Sequence, residues 1–568
     1  MASGVDLIEV RPAAAPAVVA TGRNALRLYA PIAIAMVIYL ALALAIARTK
    51  VPWCDEGWFA NPSYNLAMHG QMSTNVLEPS GHYLNAYLRG IQQRTYVVPP
   101  NHLVAMAAWF RLVGFSVFKM RVYSILWGAL TFPVLFYIVY KLLEDVRVAS
   151  LAVLFTSIDF IFLWATADGR MEATASTLAL CGIAAYLHYR ENNFRTAVIA
   201  SQIFGAAAAF THPNALLGVI AVLALAWRFD RGRLKWSHAL LAAAPYVAFA
   251  AAWSVYIFQA PLDWRAQFFA NAAGRNSTRW KVILQPWLAL WWELYHHLSA
   301  YVGLRMWSAA PNDWMLLIPP AYIAALAWFL CTRRILRTQG VRMFATCVLA
   351  YLLGLTFLNG FKACNYMMYL LPFYNAIFAY WLIALWRSGA PQRRLVSASL
   401  LVGFVGIQVS TTVQHVRADE YHREYLPATR YLRQARGAGK EIMASSLLGF
   451  GMDFTSFRDD TRLGIYSGRA PDILVMDRSY RYFMFVFARQ EPRVFTYAID
   501  TLTSRYRLTA AYGQFWMFER REHEIPARSR AAMEAISKWN EESQKTDCLF
   551  ELLRSSPEAL ELGVKATL

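Results

Sequence analysis

The chain has 568 residues, 57% hydrophobic and only 16% charged, too little polar surface for a soluble protein of this size. It reads as a polytopic α-helical membrane protein with room for one further domain. The formal net charge of +19 comes without a basic low-complexity tail or a nucleic-acid motif, so nucleic acid is excluded as a partner and the lipid bilayer is the expected one. Residues 1–27 carry Arg11, Arg23 and Arg27 ahead of a long apolar run beginning at Leu28. That run, followed by further apolar runs, predicts an uncleaved first span instead of a signal peptide. Windows of about 20 apolar residues predict about eleven spans, near 28–49, 119–142, 147–166, 171–189, 195–211, 213–228, 238–258, 312–331, 342–359, 367–386 and 395–413.

The loops between them sort by charge. Lys141 and Arg147, Arg190 and Arg195, Arg228 to Lys235, Arg333 to Arg342, and Arg387 to Arg394 fall on one side. The positive-inside rule makes that side cytoplasmic. The loop at about 50–118 and everything after about 414 are then outside. The first outer loop predicts a helix over 58–69 and another over 101–113, opened by Pro99-Pro100. The apolar stripe Leu103, Ala107, Phe110 places the latter helix in the membrane interface. Ordinary packing against the bundle predicts the same stripe. The second outer loop, about 259–311, carries Trp287, Trp291, Trp292 and Tyr295, which suit another surface helix. The polar tail, 414–568, predicts a small α/β domain. Its strands fall at 441–446 and 473–476, with a hairpin over 505–520 around Gly513 and helices over 424–435 and 528–538. Gly449-Phe450-Gly451 reads as a tight turn, because a phosphate loop needs a fuller motif. The chain divides into a cytoplasmic segment 1–27, a transmembrane domain 28–413 and an extracytoplasmic domain 414–568.

The chemistry-bearing residues gather at the outer ends of spans. Asp55-Glu56 stand just past the first span in Val51-Pro52-Trp53-Cys54-Asp55-Glu56-Gly57-Trp58. Ionisable residues so close to membrane depth are costly to hold, which marks the pair as a functional candidate. Asp168, Arg170 and Glu172 cluster between two closely linked spans. The six cysteines make no metal-type spacing. Cys54 and Cys364 both fall outside and could pair, though free thiols are favoured. No cofactor is called for. A divalent metal stays open, but neither His82 and His102 nor His296-His297 has ligand spacing, which favours hydrogen-bonding or interfacial histidines.

Four stretches carry a family resemblance: Asp55-Glu56; Pro99-Pro100-Asn101-His102-Leu103 with Trp109 to Gly114 and Arg121; Arg170-Met171-Glu172-Ala173; and Lys362 with Tyr366, Tyr369 and Pro372. In this order and spacing the chain resembles a GT-C glycosyltransferase, of the group that includes protein O-mannosyltransferases, lipid A aminoarabinose transferases and rhizobial galacturonosyl transferases. The resemblance implies a GT-C fold with long outer loops. It also implies a polyprenyl- or dolichyl-phosphate sugar donor, inversion at the anomeric carbon, and an acceptor hydroxyl (of a glycolipid, polysaccharide or protein) met on the outer side of the plasma or inner membrane.

Such a reaction needs a base for the acceptor proton and cations for the departing phosphate. Asp55 is the candidate base. Glu56 has three open roles: orienting Asp55, contacting the acceptor, or facing water. Lys362 is the first candidate for the phosphate. Arg94, Arg170 and Arg275 follow, each with the alternative of a snorkelling helix-end cation. Glu172 is expected to bind sugar or position Asp55, Asp168 to pair locally with Arg170, and His102, Tyr366 and Tyr369 to line the substrate site. Val97 and Val98 stand where some relatives carry an acid and a lysine, so a donor site built on those two residues is not expected. A lipid-linked sugar flippase, which predicts an internal repeat and interrupted midplane helices, and a non-catalytic scaffold are the rival functions.

Overall fold

The computed structural model describes residues 23–81, 88–269, 285–307, 312–358 and 363–523. Lys362, Arg275, His82 and the helix expected over 528–538 lie outside the described residues. The chain is mostly helical. The first helix, α1 (Arg23–Thr49), is followed after a four-residue link by α2 (Cys54–His69). The start of α2 is fixed by the Trp53 N–H, which donates to Glu56 Oε2 at 2.8 Å. Its end is set by Gly70 at φ 72°, a conformation that favours glycine. Then come α3 (Asn101–Val113), α4 (Val117–Leu143), α5 (Val146–Ile158), α6 (Phe160–Thr166), α7 (Glu172–Tyr189), α8 (Phe194–Ala209), α9 (Leu216–Phe229) and α10 (Trp236–Ile257). After the loop come α11 (Pro286–Trp307), α12 (Ile318–Cys331), α13 (Gln339–Leu358), α14 (Leu371–Arg387) and α15 (Pro391–Ala418).

Helices lie under all eleven expected spans, but the count of eleven is not reproduced. Among the described residues six helices are long and apolar enough to cross a bilayer, and seven if the bent pair α5–α6 is one span. The remaining helices are shorter or carry polar residues such as Glu172, Thr174, Ser176 and Thr177 of α7, all buried against neighbours. The expected span 147–166 is broken by a 61° bend. Asp159 caps the second half by accepting from the Phe162 N–H at 3.0 Å, and Gln408 Oε1 accepts the Phe160 N–H at 2.8 Å, so the interrupted ladder is closed by side chains.

The α3 stripe does not lie in the interface. Leu103, Ala107 and Phe110 are buried, Ala107 and Phe110 in a core shared with Phe450 and Phe454 of the tail. The exposed residues of α3 are Val104, Ala108, Arg111 and Leu112. In α11, Trp287, Trp291 and Tyr295 are exposed, whereas Glu293, His296 and His297 face inward.

The tail continues from α15 through a wide turn into α16 (Leu426–Gly437) and carries a five-stranded sheet ordered β2-β1-β3-β5-β4. The strands are β1 (Ile442–Met443), β2 (Phe457–Arg458), β3 (Ile473–Met476), β4 (Tyr506–Tyr512) and β5 (Phe515–Arg520). The expected hairpin is β4–β5, antiparallel around Gly513, and β1 pairs in parallel with both β2 and β3. Helices α17 (Arg478–Gln490) and α18 (Pro492–Asp500) pack on the sheet. The tail is not a tethered ball: α2, α3 and the start of α4 share a hydrophobic core with it.

Candidate active site

Four carboxylates and three cations converge where α1 ends, α2 and α7 begin and α4 passes. Glu56 is fully buried, at 0% exposure. Its Oε1 accepts from Arg121 Nε at 2.8 Å and from the Gly169 N–H at 3.0 Å, and its Oε2 from Arg121 Nη2 and the Trp53 N–H, both at 2.8 Å. Burial alone pushes the Glu56 carboxyl up, but the charge and forked hydrogen bond of Arg121, with Lys50 nearby, outweigh it and hold Glu56 below the usual glutamate value. Facing water is therefore not its role.

The remaining donors of Arg121 go to the backbone: Nη1 to the carbonyls of Ala47 and Lys50 at 2.8 Å each, and Nη2 to Val51 at 3.1 Å. One α4 side chain thus fixes the link between α1 and α2.

Arg170 is shared. Its Nη1 donates to Asp55 Oδ2, while its Nε contacts both oxygens of Glu172 at 3.1 Å. Glu172 and Arg170 are buried, but Asp55 keeps 23% of its side chain exposed. Asp55 Oδ1 meets the Cys54 thiol at 3.7 Å. Asp168 does not pair with Arg170 as its sequence neighbourhood suggests. Its partner is Lys50, whose ammonium also lies 3.7 Å from the Trp164 ring centre. The tight turn after α6 points the two side chains into different parts of the cluster.

A cavity of about 1000 Å³ opens beside this cluster. Its walls are mainly apolar, with Trp127, Leu178, Phe249 and Trp253 among them, and Arg94, Asn101 and Gln259 supply polar groups. His102 and Thr174 line its buried part. Neither ring nitrogen of His102 makes a hydrogen bond of normal length. Burial drives the imidazole down to about 4, so His102 is neutral near pH 7. The Phe59 ring lies between His102 of the cavity and the ion pairs: its centre is 6.3 Å from that of His102 and 5.9 Å from the Arg170 guanidinium carbon.

The chain superposes on the crystal structure of ArnT from Cupriavidus metallidurans bound to undecaprenyl phosphate, at 14% identity and TM-score 0.54, over 88% of this chain and 98% of that one. It also superposes on the oligosaccharyltransferase of Archaeoglobus fulgidus in complex with Zn and sulfate, at 9% identity and TM-score 0.52, over 86% of this chain and 73% of that one. The chain therefore shares the fold of these two structures. By sequence, no protein-family model and no curated protein matches.

On this scaffold the structure brings together Asp55, Glu56, Asp168, Arg170 and Glu172, with His102 and Arg94 in the adjoining cavity. Tyr366 and Tyr369 are buried in a 3₁₀ turn, Cys364–Tyr369, where both feel the charge of Arg170. Sequence reading missed Lys50 and His212. Lys50 looks like an ordinary helix-end cation. His212 reaches the site only through packing, its ring 5.5 Å from that of Tyr366. Cys54 and Cys364 are both free thiols.

Glu293, His296 and His297 of α11 place three ligand-type atoms within 4.8 Å of one another, a set able to hold a metal ion. The sequence hid it because Glu293 joins the histidines only through the helical i, i+3, i+4 spacing. In the structure the imidazoles link elements instead: His296 contacts Glu293 Oε1 at 3.0 Å and the Ala363 carbonyl at 2.9 Å, and His297 contacts Tyr374 Oη at 2.6 Å.

Proposed function

We propose that this protein is a membrane glycosyltransferase that moves a sugar from a polyprenyl-phosphate donor to an acceptor hydroxyl, with Asp55 as the base. The observation that carries the reading is the asymmetry of the acidic cluster. Glu56, Asp168 and Glu172 are buried in ion pairs, while Asp55 keeps part of its side chain exposed, and an apolar cavity reaches the same region through His102 and Thr174. A lipid tail suits the cavity walls, and a phosphate suits the end that holds Arg94, with His102 as a neutral hydrogen-bond donor. That ArnT is seen with undecaprenyl phosphate supports a donor of that lipid class. Lys362 is the proposed further phosphate contact.

In this reading the acceptor hydroxyl donates to Asp55 Oδ1. As its oxygen attacks the anomeric carbon, the proton passes to Asp55. The bond from the anomeric carbon to the phosphate oxygen breaks, and its electron pair leaves with the polyprenyl phosphate. The new bond forms on the opposite face, so the configuration inverts. Arg170 holds Oδ2 and so aims the other oxygen. Glu56 positions the helix and does not touch substrate. The sorting of basic loops supports a site and tail facing outward from a plasma or inner membrane. The acceptor class is a glycolipid, polysaccharide or protein.

The test is Asp55→Asn in membranes supplied with labelled polyprenyl-phosphate sugars. Transfer is expected to fall by about a hundred- to ten-thousand-fold, with the protein still inserted. Normal turnover by this variant excludes Asp55 as the base, and absence of transfer by the wild type itself is what a flippase or scaffold predicts.

A further inference from the structure

The face of α2 turned away from Arg121 and Arg170 rests on the tail. Gly57, directly after the carboxylate pair, lies backbone to backbone on the Ser446–Leu447 peptide. A Cβ there would stand 2.4 Å from the Ser446 carbonyl carbon and 2.7 Å from the Leu447 nitrogen. Ser446 Oγ donates to the Cys54 carbonyl at 3.2 Å. The next residue, Trp58, donates through Nε1 to Asp459 Oδ2 at 3.0 Å. The same oxygen accepts the Ser446 N–H at 2.8 Å, and Oδ1 accepts the Tyr480 hydroxyl at 3.0 Å. One buried carboxylate therefore ties together α2, the turn beneath it and α17. The Asp459 backbone extends the tie to the outer loop: its N–H donates to the Val76 carbonyl at 2.8 Å, and its carbonyl accepts from Glu78 at 2.9 Å. Asn61 and Asn65 of α2 reach the same loop through Asn75 Oδ1 at 2.8 and 3.0 Å.

We propose that the tail is a working part of the transfer site, with Asp459 as a positioning residue that sets α2, and hence Asp55, from the side opposite the bundle cations. This rests on the reading of Asp55 as the base. The bundle holds the first turn of α2 from one side, Asp55 through Arg170 and Glu56 through Arg121 and the Gly169 N–H, which leaves the opposite face of the helix to be set by other contacts. The Gly57 contact and the Trp58–Asp459 bond supply that second support. Displacing a reacting group by about an ångström costs on the order of a hundredfold in rate. A residue that acts only by placement therefore shows itself in kcat and leaves donor binding alone.

The experiment measures kcat and donor KM for the full-length protein carrying Trp58→Phe, Asp459→Asn or Gly57→Ala, with thermal unfolding of each variant and Asp55→Asn alongside. Trp58→Phe keeps the ring and removes one donor. It is expected to lower kcat about threefold to tenfold with KM within about twofold and unfolding little changed. Asp459→Asn sets an amide against N–H donors and is expected to cost about tenfold or more. Gly57→Ala, which must push α2 off the tail, is expected to cost about a hundredfold. Lys440→Ala, at the partly exposed pair that Lys440 makes with Glu519 on the sheet, is expected to match the wild type. The proposal is overturned if Trp58→Phe and Asp459→Asn retain wild-type kcat, or if their loss disappears once activity is expressed per folded molecule. If instead Asp55→Asn turns over normally, it is the reading of the base that fails.

Discussion

Arg121 directs its donors to Glu56 and to three carbonyls at the α1–α2 link. No other side chain matches that fork: lysine is a point charge with no planar pair of N–H groups. Arg121→Lys keeps the charge but is expected to leave Glu56 half-satisfied and to destabilise the protein by about 1–3 kcal/mol, the usual cost of a buried polar group left without its hydrogen bond. The measure is thermal unfolding in detergent, and an unchanged midpoint contradicts the assigned role. Glu56→Gln tests the same pair from the other side. It removes the charge but keeps the shape, so insertion is expected to survive with a lowered unfolding midpoint. Both carboxylates were legible as candidates from their place after the first span. Their division of labour was not, because adjacent helix residues point about 100° apart and only the surrounding helices decide which one is buried.

At the scale of elements, the tail shows how a helix cap couples to pH. Asp477 Oδ1 caps α17 by accepting the Tyr480 N–H at 2.8 Å, while Oδ2 is buried with no partner. Burial, with Asp459 nearby, pushes this carboxyl up to about 6. The folded protein thus holds a proton that the unfolded chain has already released between roughly pH 4 and 6. The stability it contributes is present in acid and is lost as pH rises through about 6. Asp477→Asn keeps the capping oxygen and cannot ionise. Its unfolding midpoint is expected to exceed the wild type's at about pH 7.5, with a smaller difference at about pH 5. Equal shifts at both values would show that another group titrates. The break at Asp159 is the element-level feature nearest to the flippase reading. Its free backbone donors end on Asp159 and Gln408, and Asp159 Oδ2 accepts from Tyr322 at 2.8 Å.

At the scale of the whole molecule, α10 turns a nearly continuous apolar surface outward, with Trp236, Leu240, Val247 and Val255 all exposed, as a lipid-facing helix does. Its other face supplies Phe249 and Trp253 to the cavity. A lipid phosphate held there links binding to folding. Undecaprenyl phosphate at about a hundred times its dissociation constant is expected to stabilise the protein by about 2.7 kcal/mol. Trp253→Ala is expected to weaken that shift without affecting insertion. No shift in the wild type at saturating lipid would separate the cavity from the donor.

Membrane class, the helices under the spans, the β4–β5 hairpin and the acidic and basic candidates follow from the sequence by itself. Apolar length, alternation and turn residues are local properties of the chain. The partners were decided only by tertiary structure. Asp168 meets Lys50 and not its neighbour Arg170, Glu56 is buried while Asp55 is left open, and the α3 stripe faces the tail instead of the membrane. Each of these depends on which distant element packs alongside. Hydrophobic periodicity says that a face must be covered, and carries no information about what covers it.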